Sequence, residues 1–210
     1  MDQAKYFNSI AADWNEIRKK YFSEELKNCI FQKVNAEGKI CADLGCGTGF
    51  ISIPLSHIAK VVFSVDISLN MLKELNKAAV KEGIKNIYPL KGYMDKLPLF
   101  NQSIDVVIIN MALHHVENPL DAIREMYRIL RKGGTVVISD PEEHNGKWAR
   151  EEMHDVWLGF SHAQIIAWMK QAGFTGVEIG STGLKCSAYS SKGEYTETGI
   201  FIAKGIKMGE

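Results

Sequence analysis

The chain has 210 residues, 46% apolar and 24% charged, with 25 basic side chains balanced by 25 acidic ones. That is the composition of one globular domain, and a net charge of zero leaves no global field to gather a polyanion or an anionic membrane. The triplet Arg18-Lys19-Lys20 is too short a basic patch to replace it. Apolar runs such as Val106-Val107-Ile108-Ile109 are strand-sized, and the N-terminus lacks the apolar stretch of a signal peptide. A soluble, cytoplasmic protein is therefore expected, monomer or homodimer, with no nucleic-acid or membrane partner. Cys29, Cys41, Cys46 and Cys186 form no Cys-x-x-Cys pair and have no nearby histidine at ligand spacing, so buried free thiols are expected rather than disulfides or structural zinc.

In chain order, residues 1 to 37 read as helical. Tyr6, Phe7, Ile10, Ala11, Trp14 and Ile17 recur at helical spacing, followed by Leu26, Ile30 and Val34, and Gly38 ends the region. Apolar runs then repeat at 40–42, 61–65, 87–90, 104–109 and 135–139, with helical patterns over 50–59, 69–82 and 120–130 between most of them. Strands separated by helix-length segments cannot pair as hairpins; they imply crossover units and an α/β, doubly wound parallel sheet covered on both faces. Ser68 is placed to cap the helix at 69–82 and Gly83 to end it. Pro54 predicts a kink or a late start in the helix at 50–59. Residues 142–172 read as a polar loop and two helical stretches, and the runs 176–179 and 199–204 as two strands joined by a Ser, Gly and Tyr-rich link.

The most informative segment is Asp43-Leu44-Gly45-Cys46-Gly47-Thr48-Gly49-Phe50, directly after the first strand. Glycines there let the backbone turn sharply and approach a ligand. The third glycine follows the second by two residues, whereas the dinucleotide-binding pattern spaces them by three. Asp43, at the strand tip, repels a pyrophosphate and attracts a ligand's ammonium group. Asp66 ends the second strand, 21 residues beyond Gly45, where a carboxylate takes ribose hydroxyls. Ribose, ammonium and carboxylate in one crevice describe S-adenosylmethionine. The plainer reading of the same acids is a helix cap at Asp66 and a hydrogen bond that Asp43 accepts within its own turn.

These residues resemble the class I S-adenosylmethionine-dependent methyltransferases, in particular the small-molecule branch with the quinone-biosynthesis enzymes. The resemblance covers residues 38–141: Asp43 to Gly49 is similar to the cofactor loop, Val65 to Ser68 to the ribose-binding strand end, and Leu97-Pro98-Leu99 with 104–107 and 125–134 to the following segments. It implies a Rossmann-like seven-stranded sheet with an antiparallel last strand. It also implies a single domain with a helical cap (1–37), a cofactor-binding core (38–141), a lid or substrate-side segment (142–172) and C-terminal strands (173–210). Where the family carries an acid after the third strand, this chain has Tyr93, so adenine recognition falls to the Met94 backbone and Asp95. Beyond residue 141, His144, Trp148, Arg150, 155–160, Trp168 and 172–174 resemble the methyltransferase domain fused to some bacterial winged-helix regulators.

Asp43, Gly45, Cys46, Gly47, Asp66, Ile67, Met71, Met94, Asp95, Asn110 and His115 are therefore the expected cofactor contacts, Met71 facing adenine or the core. Just beyond the fourth strand, His115 is placed to touch the cofactor or act as a base; plain packing is the other reading for it and for His114. Tyr6, Trp14, Tyr21 and His144 are expected to close over the cofactor and acceptor. His144, His154 and His162 lie among Glu142, Glu143, Glu151, Glu152 and Asp155, but no spacing forces ligands together, so a solvated lid is expected and no metal. The function implied is methyl transfer to a small molecule. The alternatives are a metalloid or thiol methyltransferase using cysteine thiolates, of which Cys46 is the one near the cofactor, and a non-catalytic sensor of S-adenosylmethionine or S-adenosylhomocysteine.

Overall fold

The structure, a computed structural model, describes residues 3–209; Met1, Asp2 and Glu210, which belong to the expected cap and C-terminal segment, lie outside the described residues. Short apolar runs become strands covered on both faces. β1 (Ile40–Leu44), β2 (Val61–Asp66), β3 (Ile87–Lys91), β4 (Ile104–Asn110) and β5 (Leu130–Pro141) pair in parallel. β6 (Thr175–Tyr189) and β7 (Tyr195–Ile206) complete a seven-stranded sheet in the order β3-β2-β1-β4-β5-β7-β6, with β7 antiparallel to both neighbours. Along β4 the side chains alternate: Val107 and Ile109 pack with Ala42, Leu44 and Ile138 on one face, Val106 and Ile108 with Cys41, Val62 and Val137 on the other. Pro89 sits in β3, an edge strand, where a missing N–H is tolerated.

Helices cover both faces: α1 (Gln3–Ile10), α2 (Trp14–Lys19), α3 (Leu26–Phe31), α4 (Ser52–Ser56), α5 (Leu69–Lys81), α6 (Pro119–Ile129), α7 (Ala149–Glu152) and α8 (His162–Gln171). The Ser68 hydroxyl accepts the Met71 N–H at 3.1 Å, capping α5. α4 begins late, at Ser52, which puts Pro54 in a first turn whose N–H groups have no intrahelical partner.

Three sequence expectations change. The N-terminal helical reading resolves into three short helices that end at Phe31. Residues 131–134 are part of β5, because Leu130 already pairs with Ile104 and pairing resumes at Val106 with Thr135 after an irregularity. The Ser, Gly and Tyr-rich link is largely strand, with Tyr189 facing Tyr195 at 4.8 Å between ring centroids and Lys185 paired with Glu197. An antiparallel ribbon with one wet face carries polar residues that mask it in an apolar-run reading.

Candidate active site

The switch point of the sheet lies between β1 and β4, which run to opposite sides of it, and a cavity of about 510 Å³ opens at their C-terminal ends. Gly45 and Gly47 shape its floor, with φ of +66° and +52°. A Cβ on Gly45 meets the Ala112 Cβ at 2.5 Å, and one on Gly47 meets the Trp14 indole nitrogen at 3.2 Å, so these segments approach as closely as hydrogen permits. The structure thus seats Trp14 against that side of Gly47.

Two buried acids flank the loop. Asp66 accepts the Gly47 N–H on Oδ2 and the Ser68 N–H on Oδ1, both at 2.8 Å, so it ties the loop to the start of α5. Burial raises its pKa, against those hydrogen bonds. Asp43 is 2% exposed and accepts the Ser52 hydroxyl at 2.5 Å, which in turn meets Ser64 Oγ at 2.7 Å. Burial outweighs the Ser52 bond and, with Asp66 nearby, pushes Asp43 up to about 7. Asp43 thus holds the start of α4, Asp66 holds the loop and the start of α5, and both line the cavity.

All eleven residues expected to contact the cofactor line this cavity: Asp43, Gly45, Cys46, Gly47, Asp66, Ile67, Met71, Met94, Asp95, Asn110 and His115. A second, smaller cavity of about 90 Å³ adjoins it and shares Trp14, Phe22, Met111 and His115 with it. Of the expected covering residues, Trp14 lines both cavities, and Tyr21 and His144 line the smaller one. Tyr6 lines neither; its ring packs on His154 at 4.6 Å and on Phe7 at 5.2 Å, and Phe7 takes the place facing the larger cavity.

The histidine pair turns out to be a buried network. His114 Nδ1 pairs with Asp140 Oδ1 at 2.6 Å, while Asp140 Oδ2 accepts the Ala112 and Leu113 N–H groups. Burial pulls His114 down, but Asp140 and Asp155 outweigh it and raise its pKa to about 9. Burial and the neighbouring His114 hold His115 well below its ordinary value. Asp155 was expected on a solvated lid and is instead packed inside. The Val156 and Trp157 N–H groups both donate to the His114 carbonyl, the Trp157 indole donates to Val116, and Phe160 is fully buried against Trp157 and Trp168. His162 pairs with Glu142 and Glu152 accepts from Ser191, so the acidic and histidine-rich stretch is not one cluster.

Sequence reasoning missed Arg18, which it had read as part of a weak basic triplet. The side chain is buried, lines the larger cavity, lies over the Phe50 ring at 4.2 Å and pairs with Glu24 through Nη2; its Nε and Nη1 have no hydrogen-bond partner. An orphaned buried guanidinium facing a cavity is suited to a carboxylate. Asn8, Asn15 and Gln3 were missed too. They bond to Ser68 and Asn70, to Thr48, and to the His115 carbonyl, so they dock α1 and α2 over the strand ends.

A doubly wound sheet with an acid-flanked glycine loop and an acid closing the second strand defines a nucleoside-cofactor domain. Residues 42–138 match the family of methyltransferase domains. The chain is 31% identical to an uncharacterized protein of Methanocaldococcus jannaschii over 81% of its length and 78% of the relative's. It is 28% identical to the chloroplastic 2-methyl-6-phytyl-1,4-hydroquinone methyltransferase of Spinacia oleracea over 85% of the chain and 52% of that protein. The chain spans about half the length of the hydroquinone methyltransferases it matches. Among solved structures, the [4+2]-cyclase SpnF shares the fold with a TM-score of 0.80 at 14% identity, over 99% of this chain and 96% of that one. Over residues 42–138 the chain is thus similar to methyltransferase domains, and its fold is that of an S-adenosylmethionine-dependent methyltransferase from Aquifex aeolicus (TM-score 0.69, 19% identity). No helix of the described residues is long and apolar enough to cross a membrane.

Proposed function

We propose that this chain transfers a methyl group from S-adenosylmethionine to a small molecule seated in the smaller cavity. The observation that carries this reading is the pair of adjoining cavities that share His115, Trp14, Phe22 and Met111 as a common wall. The larger one suits the cofactor: Arg18 offers orphaned donors to a carboxylate, Asp43 a counter-charge to an ammonium, Asp66 a lone pair on each oxygen to ribose hydroxyls, and Met71, Met94 and Asp95 a flank for the adenine. When bound, the cofactor supplies a methyl group on a sulfonium, a leaving group that needs no acid. What remains for the chain is to align the acceptor and exclude water. Trp14, Phe7 and Phe22 cover the junction, and His115 faces both cavities, where it meets the acceptor's nucleophilic atom.

The hydroquinone relatives suggest an acceptor with an aromatic hydroxyl. The smaller cavity is well below the size of an ordinary ligand pocket, about 300–1,000 Å³, and favours a compact head group without a lipid tail. The reading with cysteine thiolates holding a metalloid loses support: burial pushes Cys41 and Cys186 up to about 12 and Cys46 well above its ordinary value. Mass-spectrometric turnover with compact hydroquinones, phenols and thiols tests the proposal. Formation of S-adenosylhomocysteine with an acceptor 14 mass units heavier, roughly one CH₂, is expected; cofactor binding with no turnover across the panel makes the chain a sensor.

A further inference from the structure

We propose that His114, His115 and Asp155 form a binding site for a first-row divalent metal ion at the wall between the two cavities, with one coordination position open toward the smaller cavity. Their ligand atoms lie within 4.8 Å of one another, and all three residues line that cavity. Asp155 Oδ1 stands 3.7 Å from His114 Nε2 and 3.6 Å from His115 Nδ1, beyond hydrogen-bond reach of either. That oxygen is buried with no hydrogen-bond partner, on a side chain only 10% exposed. Bonds of 2.0–2.1 Å at tetrahedral angles separate two ligand atoms by roughly 3.3 Å, so the two carboxylate–imidazole gaps need to close by only a few tenths of an ångström.

The surroundings supply what a metal site needs beyond its ligands. Asp140 takes His114 Nδ1 at 2.6 Å and is itself held by two backbone N–H groups, which orients the ring and leaves Nε2 for the ion. Asp155 is fixed relative to His114, since the next two residues donate to the His114 carbonyl. His115 Nδ1 has one competing contact, the His154 carbonyl at 3.4 Å, a long hydrogen bond that a metal bond outweighs. Two imidazoles and one carboxylate with an open position is the donor set of zinc and non-haem iron sites that take up a substrate atom. The fourth ligand is then an ionisable hydroxyl or thiol of the acceptor, a step that rests on the reading of the smaller cavity given above.

The test uses the full chain, freed of metal with a chelator and titrated with Co²⁺, with S-adenosylhomocysteine titrated in parallel. Visible d–d bands that saturate at one equivalent and are displaced by Zn²⁺ are expected, and 2-mercaptoethanol should add a thiolate charge-transfer band. Asp155→Asn should weaken Co²⁺ at least about tenfold and leave S-adenosylhomocysteine affinity unchanged. Should that variant not fold, proton NMR of the Co²⁺-loaded wild type decides, with two exchangeable hyperfine-shifted imidazole N–H signals expected. Absence of d–d bands, or of those two signals, overturns the site and leaves His114 hydrogen-bonded to Asp140 alone; so does unchanged Co²⁺ affinity in folded Asp155→Asn. Co²⁺ binding without S-adenosylhomocysteine binding sinks the cofactor reading instead, and the reverse result sinks this one alone.

Discussion

Asp43 sets a pH dependence. Its folded pKa of about 7 lies above that of an exposed carboxylate, so the folded chain holds a proton between the two values that the unfolded chain has lost. This group's contribution to stability is therefore present at acid pH and lost as pH rises through about 7. An ammonium beside it favours the ionised form, so cofactor affinity should move the other way, falling up to about tenfold per pH unit below that pKa. Calorimetry with S-adenosylhomocysteine at several pH values should show the fall, with proton release below pH 7; a flat profile would place the ammonium elsewhere. At Arg18, Arg18→Met keeps the bulk over Phe50 and removes a buried cation with two unused donors. Cofactor affinity should fall by about 1.5–3 kcal/mol while the melting temperature changes little. A loss of stability with full affinity would make Arg18 a structural residue. Asp66→Ala should cost about as much affinity, and some stability as well, because Gly47 and Ser68 lose their acceptor.

At the scale of elements, the glycine loop and the N-terminal helices form one unit. Gly47→Val strains a φ of +52° and drives a side chain at Trp14, so it should displace α2 and abolish cofactor binding before it unfolds the sheet. A circular-dichroism melt beside a titration separates the two effects, and normal binding would show that the loop does not support the ligand. α1 differs from α2: it meets the site through Gln3, Phe7 and Asn8, whereas α2 carries Trp14 and Arg18. Deleting α1 should therefore reduce methyl transfer more than cofactor affinity, since it removes cover and not the carboxylate partner, while deletion through residue 25 should remove both. Hydrogen exchange should show α1 and α2 slowed by cofactor; equal exchange with and without it would argue for a face that stays open to a large acceptor.

Across the whole molecule, the β6–β7 hairpin lines the smaller cavity, and the larger one beside it lies where the strand ends and the cap meet. Tyr21 contributes its carbonyl to Ser187 and Phe22 bridges to Cys186, so the far edge of the sheet is tied to the N-terminal segment. A ligand seated there stabilises the fold by mass action, about 2.7 kcal/mol at a hundred times its Kd. For a domain of this length that raises the melting temperature by roughly 5–10 °C. Differential scanning fluorimetry with S-adenosylhomocysteine should show that rise for the wild type and a smaller one for Arg18→Met at equal concentration.

The sequence by itself determined the strands and the loop that line the larger cavity. Strand apolarity, the Gly45–Gly49 loop, Asp43 and Asp66 are local signals: a strand buried on both faces must be apolar, a turn with positive φ selects glycine, and a ligand at a strand end is met by the next residues along the chain. The Ser68 cap and the starts of β1 to β4 were legible for the same reason, whereas the long β6–β7 ribbon was hidden because its exposed face carries Lys185, Glu197 and tyrosines. Only the tertiary structure decided the place of Arg18 at the larger cavity and the network of His114, Asp140 and Asp155. Arg18 reads as one more basic residue until packing on Phe50 orphans its nitrogens, and Asp155 reads as solvated until its neighbours clip onto the His114 carbonyl. His114, Asp140 and Asp155 come from three separate segments. Groups gathered across a sheet leave no spacing along the chain, because their distances are set by how the layers pack.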